Sequence, residues 1–182
     1  MFSGPPPSDY FAIFGIEKKL ALDVEDLQRR FYDNSRAWHP DRHARAGAEQ
    51  LAYAEEASAT LNDAWRALRD PVTRAEYVLK AEGFNIGEQR GRDVPPELLE
   101  EVFALNMALE EAREGDAQAK DDVAASLAKF EGLLREIDAE RDRIFQAYDA
   151  NPNRETLAGL RALLNRRKYI QNLVRDARAA LA

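Results

Sequence analysis

Pro40 is the residue that most limits the folds open to this chain. It stands in the tripeptide His39-Pro40-Asp41, inside an otherwise helical pattern. Its ring and its missing N–H end any helix that reaches it. Before it, Leu27, Phe31 and Trp38 recur at intervals of 4 and 7 along one helix face. Asp23 is the expected N-cap of that helix, and Asp26 its capping-box partner. Arg29, Arg30, Asp33 and Arg36 fall on the opposite face. After it, Leu51, Ala54, Ala57 or Ser58, Leu61, Trp65 and Leu68 mark the apolar face of a helix over 48–68. Two amphipathic helices joined by a stiff break must bury their faces together, so a helical hairpin is expected.

The flanks read the same way. Tyr10 to Gly15 predicts a first short helix. Asp70-Pro71 stops the second long helix and starts another, with Asp as N-cap and Pro in the first helical position, running to about Glu82 and ended by Gly83. No sustained alternation of β-branched residues marks a strand. The spacing predicts three further helices, over about 97–114, 117–150 and 154–182, separated by Gly115-Asp116 and Asn151-Pro152. Their short connections favour an antiparallel bundle. The second of them offers Leu127, Phe130, Leu134, Ile137, Ile144, Phe145 and Tyr148 as its apolar positions. The expected organisation is all-α: a Pro-rich tail over 1–8, a first domain over 9–82, a linker over 83–96 rich in Gly and Pro, and a three-helix bundle over 97–182.

Composition closes several functional classes. The net charge of −7 argues against bulk nucleic-acid affinity. Without cysteine the chain has no disulfide framework, no thiolate nucleophile and no thiolate ligand for zinc or an iron–sulfur cluster. No apolar run has the length to cross a bilayer. The first residues, Met1-Phe2-Ser3-Gly4-Pro5-Pro6-Pro7, resemble neither a secretory signal nor an organelle presequence, and the expectation is a bacterial cytoplasmic protein without a membrane partner.

Around Pro40 the charge reverses. Between Leu27 and Arg45, five arginines (29, 30, 36, 42 and 45) stand against Asp33 and Asp41, a local +3. Such a face steers and orients an acidic partner, and Asp41 beside it can pair with one of that partner's arginines. A plainer reading has Asp41 cap a helix, His39 fill a turn and the arginines form a solvated face. A metal site from His39, Asp41 and His43 is the third reading, but a proline-stiffened loop does not readily aim three ligands at one ion. An enzyme using these three residues lacks a nucleophile with a paired base and a Gly-rich phosphate loop.

The surroundings of the tripeptide decide among these readings. Asp9-Tyr10-Phe11 with Phe14-Gly15, Phe31 and Trp38 before the tripeptide, Leu61-Asn62-Asp63-Ala64-Trp65 after it, then Leu68, Asp70-Pro71 and Arg74-Ala75-Glu76-Tyr77 together resemble a J-domain. J-domains are the co-chaperone modules that switch on the ATPase of DnaK-type chaperones. Gly83-Phe84 and an acidic helical segment after a short linker extend the resemblance to the HscB family, J-protein co-chaperones of iron–sulfur cluster biogenesis. The resemblance implies an HscA-like DnaK-type partner, triggered by His39, Pro40 and Asp41 and docked by Arg29, Arg30, Arg36 and Arg42. It implies an IscU-like scaffold as client, with no catalytic residue, no metal and no cofactor on this chain, since the cluster is the scaffold's cargo. A J-protein for a different client is the alternative.

In the bundle, Leu98, Val102, Leu105, Leu109 and Ala112 follow the 4-3-4-3 spacing of a core stripe. Leu99, Phe103 and Met107 form a second stripe about 120° round the helix, which a monomeric bundle does not need. On the last helix the expected core stripe is Leu160, Leu163, Ile170, Val174, Ala177 and Leu181, with Tyr169 about 130° from its centre. Packing under the linker or the first domain is the other use for these side chains. By resemblance, Leu99, Phe103, Glu111 and Tyr169 fall where the family places scaffold contacts. Ala104 and Met107 depart from acidic positions and Asn106 from a basic one, which implies a more apolar contact or a different scaffold. The last helix is basic, and its expected complement is the acidic helix over 97–114.

Overall fold

The computed structural model describes residues 6–86 and 96–182. Residues 1–5 of the expected tail over 1–8, and residues 87–95 of the expected linker over 83–96, lie outside them. Among the described residues every regular element is a helix, and the chain divides into two compact units, Met1–Glu82 and Gly83–Ala182.

The first unit holds α1 (Tyr10–Phe14), α2 (Val24–Ala37), α3 (Pro40–His43), α4 (Ala48–Leu68) and α5 (Pro71–Ala81). α2 and α5 start where a side chain satisfies their orphan N–H groups. Asp23 Oδ1 accepts from the N–H groups of Glu25 and Asp26 at 2.9 and 3.1 Å, and Asp70 Oδ1 from Val72 and Thr73 at 2.8 and 3.0 Å. The expected capping box at Asp26 does not form. That carboxylate takes Arg29 and Arg30, at 3.0 and 2.7 Å, because an aspartate is one methylene too short to reach back to the cap. Gly15 ends α1 with φ of 64°, a left-handed conformation that costs glycine nothing.

All the other helices of this unit pack on α4. It buries Ala54, Ala57, Leu61, Ala64 and Leu68; four of these belong to the expected face, Ala64 joins them, and Leu51 and Trp65 are half-buried. Ala57, rather than Ser58, is the fully buried member of that alternative. Alanines let neighbouring helices approach closely, while Phe11, Phe14, Leu20 and Leu27 fill the remaining space. Each of these large side chains stabilises the unit by about 1.5–3 kcal/mol of transfer free energy.

The second unit is a three-helix bundle of α6 (Glu97–Arg113), α7 (Ala117–Ala150) and α8 (Arg154–Leu181). Glu131, Asp138 and Glu140 on α7 meet Arg178, Arg167 and Arg166 on α8, so numbers fall on one helix as they rise on the other and the pair is antiparallel. Glu101 meets Lys129 at 2.6 Å across α6 and α7. The complement expected for the basic helix is α6; among the described residues the ion pairs of Arg166, Arg167 and Arg178 run to α7 instead, and Glu101 of α6 pairs with α7 as well. The core collects Leu105, Leu109, Val123, Phe130, Ile137, Leu163, Ile170 and Val174. Two members of the α8 reading are corrected. Leu181 is exposed at the helix end, and Tyr169 packs against the core cluster instead of standing apart from it. A half-buried aromatic can reach the core from the flank of a stripe, which an angle alone does not capture.

Candidate functional site

The tripeptide sits where α2 gives way to α3. Residues before proline avoid the α conformation, and His39 accordingly is extended, with φ of −64° and ψ of 124°. Trp38 caps α2 through its N–H to Asn34 O at 2.8 Å, and Pro40 opens α3 in the first helical position. The sequence reading expected a loop here; one helical turn occupies it. His39 is its cap: Nδ1 accepts the Asp41 N–H at 3.3 Å. An accepting Nδ1 leaves the ring proton on Nε2. Both side chains face solvent, His39 at 55% exposure and Asp41 at 91%. The Asp41 carboxylate lies 3.6 Å from Nδ1, too long for a hydrogen bond, and so remains available as an acceptor.

Two neighbours hold this turn in place. Arg42 Nη1 donates to Arg36 O at 3.0 Å, and His43 Nε2 lies 2.8 Å from Ala37 O. The last carbonyls of a helix lack intrahelical partners, and here the following turn supplies them. Among the described residues no cluster of three His, Asp or Glu groups is placed to hold a metal ion. His43 turns its Nε2 to a carbonyl, which is a donor's position.

The arginines line the exposed face of α2. Arg36 pairs with Asp33 at 2.6 Å. Arg30 pairs with Asp26 and also approaches Phe14 O at 3.4 Å. The Arg30 hydrogen bond holds the Asp26 carboxyl below its ordinary range, against the opposing effect of burial and with help from Arg29. Exposed pairs at this spacing are weak, so a partner can exchange them for its own carboxylates. Tyr32, at 55% exposure, stands one turn from both Arg29 and Arg36. Sequence reasoning missed it, although its place on the arginine face, off the Leu27–Phe31 stripe, was a usable signal.

The platform under this face is tied by side chains distant in sequence. Tyr77 stacks on Tyr10 with centroids 4.4 Å apart, accepts the Tyr10 N–H at 3.0 Å and donates to Asp9 Oδ2 at 3.0 Å. Burial, reinforced by the Asp9 carboxylate, pushes the Tyr77 phenol above its ordinary value. Asn34 Nδ2 donates to Ile13 O at 3.2 Å, and Phe31 stacks on Trp65 at 5.0 Å. Arg74 is buried and donates to Leu68 O at 2.7 Å, closing the end of α4.

On the bundle, the second stripe of α6 is exposed: Leu99 at 57%, Phe103 at 68% and Met107 at 43%. Glu111 is exposed on the same helix, as are Ala104 and Asn106. Tyr169, half-buried on α8, belongs in part to the core.

Residues 9–77 match the family model of the DnaJ domain. Over nearly its whole length the chain is similar to two solved structures. The chaperone HscB from Vibrio cholerae is 24% identical, with 94% of this chain and 96% of that one covered and a TM-score of 0.66. The human co-chaperone protein HscB is 22% identical, with 98% and 85% covered and a TM-score of 0.69. The first unit therefore carries a J-domain, and the all-α fold is that of the HscB chaperones.

Proposed function

We propose that the chain is a J-protein adaptor without catalytic activity of its own. Its J-domain stimulates ATP hydrolysis by an HscA-like, DnaK-type chaperone, and its bundle carries an IscU-like iron–sulfur scaffold to that chaperone. The observation that carries the first half is the exposed His39-Pro40-Asp41 turn, pinned to the end of α2 beside a row of exposed arginines inside a matched DnaJ domain. In this reading His39, Pro40 and Asp41 form the trigger. Arg29, Arg30, Arg36 and Arg42 orient the chaperone, with Arg42 also bracing the turn.

The second half is supported by the exposed apolar residues of α6 and by the fold shared with HscB chaperones. Leu99, Phe103, Glu111 and Tyr169 would contact the scaffold. The coupling needs no cofactor on this chain. One molecule holding client and ATPase raises the effective concentration of the client where hydrolysis is triggered. A different client is the second reading, favoured by exposed Ala104, Asn106 and Met107 on the face that would choose it.

Steady-state ATP hydrolysis by an HscA-like chaperone tests the first half. The chain stimulates it, and the His39→Gln variant does not. Equal stimulation by both would remove the tripeptide from the mechanism.

A further inference from the structure

The chain has two histidines, and both sit at the turn between α2 and α4. One nitrogen of His39 stands near two different groups of Asp41. Nδ1 accepts the Asp41 N–H at 3.3 Å, and Asp41 Oδ2 lies 3.6 Å from the same atom. The two contacts exclude each other. A lone pair at Nδ1 takes the amide and repels the carboxylate, whereas a proton there repels the amide and donates to the carboxylate. The His39 ring makes no other hydrogen bond or ion pair among the described residues. The charged groups of the neighbouring elements are turned elsewhere. On α2, Arg36 holds Asp33 at 2.6 Å. On α3, Arg42 and His43 reach back to the carbonyls of Arg36 and Ala37. Arg45 after α3, and Glu49 in the first turn of α4, form no ion pair among the described residues. Imidazole is the side chain that ordinarily changes charge between about pH 5 and 8, where carboxylates, phenols and guanidinium groups hold theirs.

We propose that this turn is a proton-gated trigger. With His39 neutral, its ring caps α3, and the Asp41 carboxylate stands free to accept from an arginine of the DnaK-type chaperone. With His39 protonated from solvent, Nδ1 turns its proton to Asp41 Oδ2, and that carboxylate is occupied within the chain. Nε2 carries a proton in both states, so the acceptor is what the gate changes. The pair also loses its net negative charge, which weakens its attraction for a guanidinium. The Asp41 N–H released in the closed state is exposed and takes water in place of the ring. A chaperone that needs the open state then binds more weakly by the fraction of chain in which His39 is neutral. The inference rests on the chaperone-trigger reading.

NMR of the intact chain, titrated from about pH 8 to about pH 5.5, reads the gate without the chaperone. At the upper pH the His39 ring carries its proton on Nε2. As the ring titrates, the Asp41 amide proton moves upfield and the Asp41 carboxyl carbon shifts, all with one midpoint. His43→Gln keeps a donor for the Ala37 carbonyl, and the Asp41 response remains in it. A proton on Nδ1 at the upper pH, an Asp41 amide that does not follow the ring, or a response lost in His43→Gln would overturn the proposal. Steady-state hydrolysis by an HscA-like chaperone over the same range, each rate divided by that of the chaperone alone, reads the consequence. The chain concentration for half-maximal stimulation rises about fivefold or more on acidification, and the plateau holds. A half-maximal concentration independent of pH would mean that the two states dock alike, and the gate would fall. No stimulation at any pH would sink the trigger reading itself, and the gate with it, whatever the NMR titration gives.

Discussion

At the scale of single residues, the J-domain separates side chains left exposed from side chains that hold the fold. His39 and Asp41 are exposed and make only the local cap. His39→Gln should therefore change stability by no more than about 0.5 kcal/mol, as surface changes usually do, while abolishing chaperone stimulation. Tyr77 is the reverse case. Its hydroxyl serves both the Tyr10 N–H and the Asp9 carboxylate, and Tyr77→Phe leaves that amide without its partner. Chemical denaturation should show a loss of about 1–2 kcal/mol, and stimulation measured well below the transition should survive. A Tyr77→Phe chain that is fully stable would mean that water replaces the phenol without cost.

At the scale of elements, caps and breaks set the helix boundaries. Asp70→Ala removes the acceptor for two N–H groups of α5 and should cost about 1 kcal/mol, read as a lower denaturation midpoint. These boundaries were legible in the sequence because their causes are local: Asp70-Pro71, Gly115 and Asn151-Pro152 each act on the backbone beside them. The exposed stripe of Leu99, Phe103 and Met107 was legible for the same reason, since one helix's periodicity separates two faces. What stayed hidden depends on distant partners. Nothing near Tyr77 announces Asp9, 68 positions away. Nothing near Arg166 or Arg167 says that their carboxylates come from α7 rather than α6. The single turn of α3 was hidden differently. Proline forbids continuing a helix but favours starting one, and only His39 Nδ1 turning onto the Asp41 N–H chooses between these uses.

At the scale of the whole molecule, the bundle is joined by a few charged bridges that respond to pH. Asp138 takes Arg141 at 2.6 Å and Arg167 at 2.7 Å, linking α7 to α8. Burial works against its charge, but the Arg167 hydrogen bond and the two guanidinium charges outweigh it and hold the carboxyl below its usual 3.8. A carboxyl depressed in the folded state contributes stability that is complete above 3.8 and disappears as pH falls through the lower folded value. Asp138→Asn should therefore unfold at a lower temperature than the parent at pH 7, and the gap should narrow as both are acidified through that range. A gap independent of pH would mean that Asp138 acts through packing alone.

The same scale holds the central claim, that one chain couples a client to an ATPase. It is tested most directly by steady-state ATP hydrolysis of an HscA-like chaperone with the intact chain, titrated with the IscU-like scaffold, beside His39→Gln and Phe103→Ala. Three different curves are expected. The parent stimulates and rises further with scaffold, Phe103→Ala stimulates but needs far more scaffold for the rise, and His39→Gln gives neither. A rise with scaffold that is the same for the parent and Phe103→Ala would contradict the coupling through α6, and stimulation retained in His39→Gln would contradict the trigger.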